Sequence, residues 1–265
     1  MRDYQGKTAV ITGASSGIGV EFAKRFAARG ANLVLVARRK DRLTEIAKQI
    51  QSSHQVSVEV VVADLSEVGA AEKLFNSLKR KKIQVDVLVN NAGFGTIGEF
   101  SKADLSRVSQ EIQLNVSTLV QLSRLCVSGM VEREQGVIIN IASTAAYQSV
   151  PYMAVYAATK AFVLSFTEAL WAELKGTGVF ALALSPGGTK TEFFEVASQG
   201  KRTDGFGSMQ TVEQVVETAM RSLDQKNPPP SVISGGMNHA MAVSGRLLTR
   251  KALIGVARAM FKPKD

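Results

Sequence analysis

Tyr156 and Lys160 stand four residues apart in a stretch with helical patterning, so their side chains can share one face and approach one another. Such a pair can handle a proton. A free tyrosine titrates near ~10, and a neighbouring ammonium favours the phenolate and lowers that value. Tyr156 could then give a proton to a carbonyl oxygen, or take one from an alcohol in the reverse direction. Ser143, thirteen residues before Tyr156, could donate to the same oxygen and complement the charge that develops there. Asn115 lies within Leu114-Asn115-Val116, a polar residue inside a helical apolar pattern. Each has a plainer reading. Tyr-x-x-x-Lys is common on amphipathic helices, Ser143 suits an N-cap or a loop, and Asn115 suits a locally satisfied amide that bends a helix.

The elements that must position these groups come from periodicity. Short β-branched runs at 8–12, 32–37, 56–62, 85–90, 136–141, 179–184 and 231–234 alternate with longer helical patterns. That order predicts repeated βαβ units, hence one doubly wound α/β domain with a mostly parallel seven-stranded sheet covered on both faces. Ile18, Phe22 and Phe26 mark one helix face, with Gly30 as its stop. Leu105, Val108, Ile112, Val116 and Leu119 mark a long helix, and Phe162, Phe166, Leu170 and Leu174 another that ends near Gly176. No repeat or composition shift divides the chain, so 1–265 reads as a single domain. Residues 192–210, with Gly200, Gly205 and Gly207, read as a mobile substrate loop.

Between the first strand and first helix runs Thr12-Gly13-Ala14-Ser15-Ser16-Gly17-Ile18-Gly19. Glycines allow a sharp turn and close approach of backbone to a pyrophosphate, while the helix N-terminus offers unpaired N–H groups and a favourable dipole. After the second strand, where an acidic residue would accept from ribose hydroxyls, the chain reads Ala37-Arg38-Arg39-Lys40. A carboxylate there would repel a 2′-phosphate, and guanidinium groups would hold it. Asp64-Leu65 closes the third strand, Asn90-Asn91-Ala92-Gly93 the fourth, and Pro186-Gly187-Gly188-Thr189-Lys190-Thr191 follows the sixth.

With this spacing and order, residues 7–234 resemble the short-chain dehydrogenase/reductase family. The resemblance implies a Rossmann-type domain and a catalytic tetrad of Asn115, Ser143, Tyr156 and Lys160, with Asn115 holding a water that links Lys160 to solvent. It implies cofactor contacts from Gly13, Ser15, Ser16, Gly17, Ile18, Gly19, Arg38, Arg39, Asp64, Leu65, Asn90, Ala92, Gly93, Tyr156, Lys160, Pro186, Gly187, Thr189 and Thr191. Asp64 also has a plain reading as a cap leading to Ser66. Thr191 is expected to bond the nicotinamide carboxamide, and an oxidised nicotinamide would add positive charge near Tyr156. The cofactor expected is NADP(H), although Ser16 stands where many NADP-using relatives carry a second basic residue. Thr189 stands where an aliphatic residue is usual.

By position, Phe94, Ala145, Tyr147, Tyr152, Met153, Phe193 and Phe194 are candidates to line a substrate pocket, and their apolar character suits a lipophilic ketone or 3-oxoacyl-type substrate over a sugar. A steroid-like ketone is the alternative within the same chemistry. The rival from another class is a redox-sensing protein that binds NADP(H) without turnover. The family's usual assembly predicts a homodimer or homotetramer.

Composition excludes other classes. Cys126 is the only cysteine, so an intrachain disulfide or a cysteine-built metal site is impossible, and no metal is expected. A reducing, cytoplasmic setting follows. The apolar stretch before Gly13 is too short for a signal-peptide core. The uncharged stretch 135–159 matches a membrane span in length, but Asn140, Ser143, Gln148 and Pro151 interrupt it, which favours a buried strand plus an active-site loop. The formal charge is +9, and residues 225–265 hold seven Lys/Arg against the single acid Asp265. With most of that charge in the tail and the rest of the chain close to balanced, no nucleic-acid surface is indicated. Within the 238–265 extension, Leu253, Ile254, Ala257, Met260 and Phe261 recur at helical spacing among Arg250, Lys251, Arg258, Lys262 and Lys264. This basic amphipathic helix is expected to dock on its own domain or a partner subunit, with an anionic membrane surface or an acidic acyl-carrier protein as alternatives.

Overall fold

Successive side chains of a strand point to opposite faces, and here each face meets its own core. In β1 (Thr8–Thr12) Ala9 and Ile11 face one core while Val10 faces the other. In β2 (Asn32–Ala37) Leu33, Leu35 and Ala37 part from Val34 and Val36 in the same way. A sheet buried on both sides needs apolar residues at every position, which is why these strands read as continuous β-branched runs. The computed structural model describes residues 3–200, 209–244 and 249–261.

The remaining strands are β3 (Val58–Val62), β4 (Val87–Asn90), β5 (Gly136–Ile141), β6 (Val179–Ser185) and β7 (Ser231–Ile233). All pair in parallel in the order β3-β2-β1-β4-β5-β6-β7. Strand ends depart from the sequence reading by at most two residues, which is the usual fraying. The order reverses between β1 and β4, and a crevice opens at such a switch point beyond the carboxyl ends of the strands.

Helix α1 (Gly17–Ala27) buries Phe22 and Phe26 completely, packs against α8 (Val212–Leu223), and shares its core with α2 (Lys40–Ser53). The opposite face of the sheet is covered by α3 (Ala70–Arg80), α5 (Leu119–Glu132) and α6 (Ala154–Glu173). The long helix expected from Leu105 to Leu119 is instead α4 (Leu105–Ile112), a π-helical segment Gln113–Thr118, and then α5. Its apolar stripe points inward only at its end, where Leu119 is buried. Leu105 and Ile112 are exposed, whereas Glu111, Asn115 and Thr118 are buried. A π-turn inserts an extra residue per turn, so no single 3.6-residue period runs in register from Leu105 to Leu119.

On α6 the expected stripe is mostly inward, since Leu174 is buried and Phe166 and Leu170 pack against the cores, but Phe162 is exposed, and Tyr156, Lys160, Val163 and Thr167 are buried as well. The polar groups Glu111, Asn115, Tyr156 and Lys160 face inward where these helices border the crevice. The stretch 135–159 is β5, a short 3-10 turn Thr144–Tyr147 and the start of α6. Among the described residues no helix is long and apolar enough to cross a membrane. Within 192–210, residues Phe193–Ser198 form α7, and 201–208 lie outside the described residues. Two further helices, α9 (Gly236–Ser244) and α10 (Arg250–Phe261), form the C-terminal part, with Ala257 buried and Ile254 and Val256 exposed. The side chains of Met260 and Phe261, and all of Lys262 and Lys264, lie outside the described residues.

Candidate active site

The glycine turn is built against the end of β4. Gly13 adopts φ +65°, and a Cβ at Gly19 would stand 2.4 Å from the Gly13 carbonyl oxygen, so neither position admits a side chain. Thr12 Oγ1 accepts from the Asn91 and Ala92 amides, each at 3.0 Å, and donates to Val89 O. Asn91 Nδ2 donates to Thr12 O at 2.9 Å and Gly13 O at 3.2 Å. Thr12 and Asn91 therefore staple the two strands at the switch point. Both lie inside motifs legible in the sequence, yet neither was singled out. Asn90, expected among the cofactor contacts, turns its amide the other way, donating to Ser123 Oγ at 3.0 Å and Asn140 Oδ1 at 2.9 Å within the core. Period-2 alternation makes the swap inevitable, since adjacent strand residues face opposite sides.

Helix α1 begins with no acidic residue in its first turn and no side-chain cap, because the Ser16 hydroxyl faces Arg39 instead. Arg39 donates to Ser15 Oγ from Nε and Nη2, at 3.1 and 3.0 Å, and to Ser16 Oγ at 2.9 Å. Its Nη1 donates to Glu192 Oε2 at 2.7 Å, and Arg42 pairs with the other oxygen of Glu192. These two partners hold the Glu192 carboxyl below its ordinary range. Arg38 is far more exposed and meets Asp64 Oδ2 at 3.5 Å. Asp64 Oδ1 accepts from the Ser66 amide and hydroxyl, the capping contact of its plain reading. Leu65 is buried, and its carbonyl accepts from Thr118 in the π-segment. A glycine cradle, a helix N-terminus without acids and a guanidinium fastened beside it fit a pyrophosphate and a further phosphate.

Across the crevice, Tyr156 and Lys160 are both buried on α6. Lys160 Nζ donates to Ile141 O at 2.7 Å and sits 5.7 Å from the centre of the Tyr156 ring. Ser143 receives the Ala145 amide at 3.1 Å, and its hydroxyl faces the Tyr156 phenol closely enough to lower its proton affinity. Asn115 is held by its side chain, which donates to Phe94 O at 2.8 Å and Thr159 Oγ1 at 3.2 Å and accepts from the Phe94 amide at 3.2 Å. A Cβ at Gly93 would lie 2.9 Å from Asn115 Oδ1 and 3.5 Å from Lys160 Nζ, which brings all four expected groups and the Gly93 backbone together. The proton affinities differ from the sequence expectation. Burial pushes the Tyr156 phenol up to about 12, against a smaller lowering by Ser143 and with a further rise from Glu111. Burial pushes Lys160 down to about 8.

After β6, the Pro186 carbonyl accepts from the Thr144 amide at 2.9 Å, and Gly187 is packed against Asn238 of α9. Thr189 is buried and its hydroxyl turns back to Gly187 O. Thr191 lays its methyl against Gly17 and receives the Phe193 amide, so it closes the segment over the glycine turn. Phe193 then covers Tyr156, with ring centres 5.0 Å apart, and Ile97, Ala145, Val150 and Met153 complete an apolar cluster around the phenol. Ile97 and Val150 are additions to the expected lining.

The short chain dehydrogenase family model matches residues 7–202. A short chain dehydrogenase of Pseudocercospora fijiensis is 37% identical over 190 residues, covering 71% of this chain and 61% of that protein's length. The very-long-chain 3-oxoacyl-CoA reductase of Rattus norvegicus is 30% identical over 262 residues, covering 96% of this chain and 81% of its own. Among solved structures, a short-chain dehydrogenase from Sphingobium yanoikuyae in complex with NADPH superposes with a TM-score of 0.81 at 32% identity, covering 94% of this chain and 95% of that one.

Proposed function

The chain belongs to the short-chain dehydrogenase family, oxidoreductases acting on CH–OH groups, and from that premise we propose that it uses NADP(H) to interconvert a lipophilic ketone and its secondary alcohol. The observation that carries the reading is the buried phenol of Tyr156 beside the Ser143 hydroxyl, at the strand ends next to the glycine turn.

NADP(H), when bound, supplies or accepts the hydride. Gly13, Gly17 and Gly19 with the α1 N-terminus hold its pyrophosphate, and Arg39 with Ser15 and Ser16 holds the 2′-phosphate. Ser143 fixes the substrate oxygen beside Tyr156. A phenol whose proton is held this firmly stays protonated at neutral pH, and gives the proton up as negative charge develops on that oxygen. Lys160 spends one of its three donors on Ile141 O and presents the others toward Gly93, where it orients the cofactor's ribose and steadies the phenolate left behind. Asn115 keeps the loop at Phe94 in place. The apolar cluster of Ile97, Val150, Met153 and Phe193 excludes water and favours an aliphatic or acyl-type ketone, in line with the rat relative's name. The outward apolar side chains of Leu105, Ile112 and Phe162 support assembly with a second copy.

The test is NADPH and NADH oxidation against acyl thioesters, bulky cyclic ketones and hydroxylated carbonyls, with Tyr156→Phe in parallel. Turnover with NADPH on the apolar substrates, reduced roughly 100-fold or more in the variant while NADPH still binds, is expected. NADPH binding without turnover on any carbonyl would establish the redox-sensor alternative instead.

A further inference from the structure

The phenol that has to meet a substrate oxygen is covered. Tyr156 is only 8% exposed, and the Phe193 ring lies against it with centres 5.0 Å apart. The two rings meet over Gly95, where a Cβ would stand 3.0 Å from Tyr156 Cδ2 and 3.1 Å from Phe193 Cζ. With Ile97, Val150 and Met153 around the other sides, a bulky substrate reaches the phenol when Phe193 gives way. Phe193 is borne on α7, which is six residues long and fastened at both ends. At its C-terminal end Val196 O accepts from Arg107 Nη2 at 2.8 Å, and Ala197 O accepts from the Ile97 amide at 3.0 Å. At its N-terminal end stands Glu192, next to Phe193, whose carbonyl accepts the Val196 amide at 3.0 Å. The Glu192 carboxylate is tied to the start of α2, with one oxygen on Arg39 Nη1 at 2.7 Å and the other on Arg42. A carboxylate held by two guanidinium groups, one of them oriented by Ser15 and Ser16, occupies the place of a phosphate. It is the weaker ligand of the two, since a phosphate monoester carries a charge of about −1.5 to −2 and three acceptor oxygens. The Glu192 side chain is also 38% exposed, so it can turn to solvent without leaving a buried charge unpaired.

We propose that Glu192 is a specificity-determining residue that couples the cofactor side of the site to the substrate side: a nucleotide 2′-phosphate displaces its carboxylate from Arg39 and Arg42, which frees the N-terminal end of α7 and lets Phe193 leave Tyr156. This rests on the reading of Arg39 as the 2′-phosphate site. The contacts at Val196 and Ala197 persist and mark the end about which α7 turns. A nucleotide without the phosphate leaves the Glu192 tie whole and the phenol covered. NADP(H) is thus selected over NAD(H) twice, once in binding and again in admitting the carbonyl compound. The coupling is reciprocal, so removing the carboxylate both frees α7 and tightens the hold on the phosphate.

Hydrogen–deuterium exchange of the full chain reads the release without turnover. The probes are adenosine 2′,5′-bisphosphate, which carries the 2′-phosphate but no nicotinamide to rearrange the segment after β6, and AMP, which lacks the 2′-phosphate, compared at equal occupancy. The bisphosphate is expected to speed exchange of the amides in 193–198 roughly 10-fold, the size of one lost charge-assisted tie, while AMP leaves them unchanged. In Glu192→Gln the same amides exchange fast without ligand, the bisphosphate adds nothing, and it binds roughly 3- to 10-fold more tightly than to wild type. Bisphosphate binding that Arg39→Ala weakens, together with exchange in 193–198 that is unchanged or slowed, would overturn the coupling and leave the phosphate-site reading standing. Exchange speeded equally by AMP would also overturn it, because release would then not depend on the 2′-phosphate. A bisphosphate bound no more tightly than AMP would overturn the phosphate-site reading and the coupling with it.

Discussion

Arg39 holds two hydroxyls and a carboxylate at once, and only one of those partners competes with a cofactor. Ser15 and Ser16 orient the guanidinium; Glu192 neutralises it. A 2′-phosphate would have to take the place of Glu192 on Arg39 and Arg42. Arg39→Ala is therefore expected to weaken NADPH binding about 10- to 100-fold with little effect on NADH, in proportion to the loss of charge-assisted hydrogen bonds. Glu192→Gln is expected to shift NADPH affinity in the opposite direction, and fluorescence titration with both nucleotides measures the two effects. Arg39 was legible in the sequence because its neighbours after the second strand are all basic. Glu192 was not, since 153 residues separate it from Arg39 and nothing local marks the contact. Tyr156 and Lys160 were legible from their spacing, but the direction of the phenol's shift was not. The ammonium is expected to lower it, whereas burial, with Glu111, raises it against a lowering from Ser143 alone.

At the scale of elements, helix α1 and the turn before it follow directly from residue types. Phe22 and Phe26 recur four apart and both reach the core, and the glycines occur where backbone passes backbone. Gly19→Ala would push a methyl onto the Gly13 carbonyl at 2.4 Å and onto Asn91 Nδ2 at 2.7 Å. A loss of about 1–3 kcal/mol is expected from the overpacking, read as a lower melting temperature, together with loss of NADPH binding. The helices over the crevice were harder to read. Apolar periodicity marked Leu119, Phe166, Leu170 and Leu174, which do pack inward, but also Leu105, Ile112 and Phe162, which face outward where Glu111, Asn115, Tyr156 and Lys160 take inward positions. Hydrophobic periodicity assumes that inside means apolar, and a helix that lines a reaction site violates that assumption.

For the molecule as a whole, Glu111 and Lys160 give stability an unusual dependence on pH around neutrality. Glu111 binds its proton up to about 7 when folded, against an ordinary value of 4.5, so the folded state holds more protons between those limits. Stability is expected to fall as pH rises through that window, by an amount on the order of a few kcal/mol. Lys160 is lowered from 10.5 to about 8, so the unfolded chain holds more protons above 8 and stability recovers as pH rises from there toward 9, where the raised Cys126 thiol begins to offset it. Melting temperatures measured across pH should show this trough near neutrality, and Glu111→Gln should remove its acid side.

The sequence by itself determined the alternation of strands and helices, the glycine turn and the places of Ser143, Tyr156 and Lys160, because these rest on local backbone preference and on spacing along one element. Which faces turn inward over the crevice, which carboxylate meets Arg39, and how firmly Tyr156 and Glu111 hold their protons were decided only by the tertiary structure. Desolvation and long-range pairing depend on what packs against a group from elements far away in the chain, and no window of sequence contains that information.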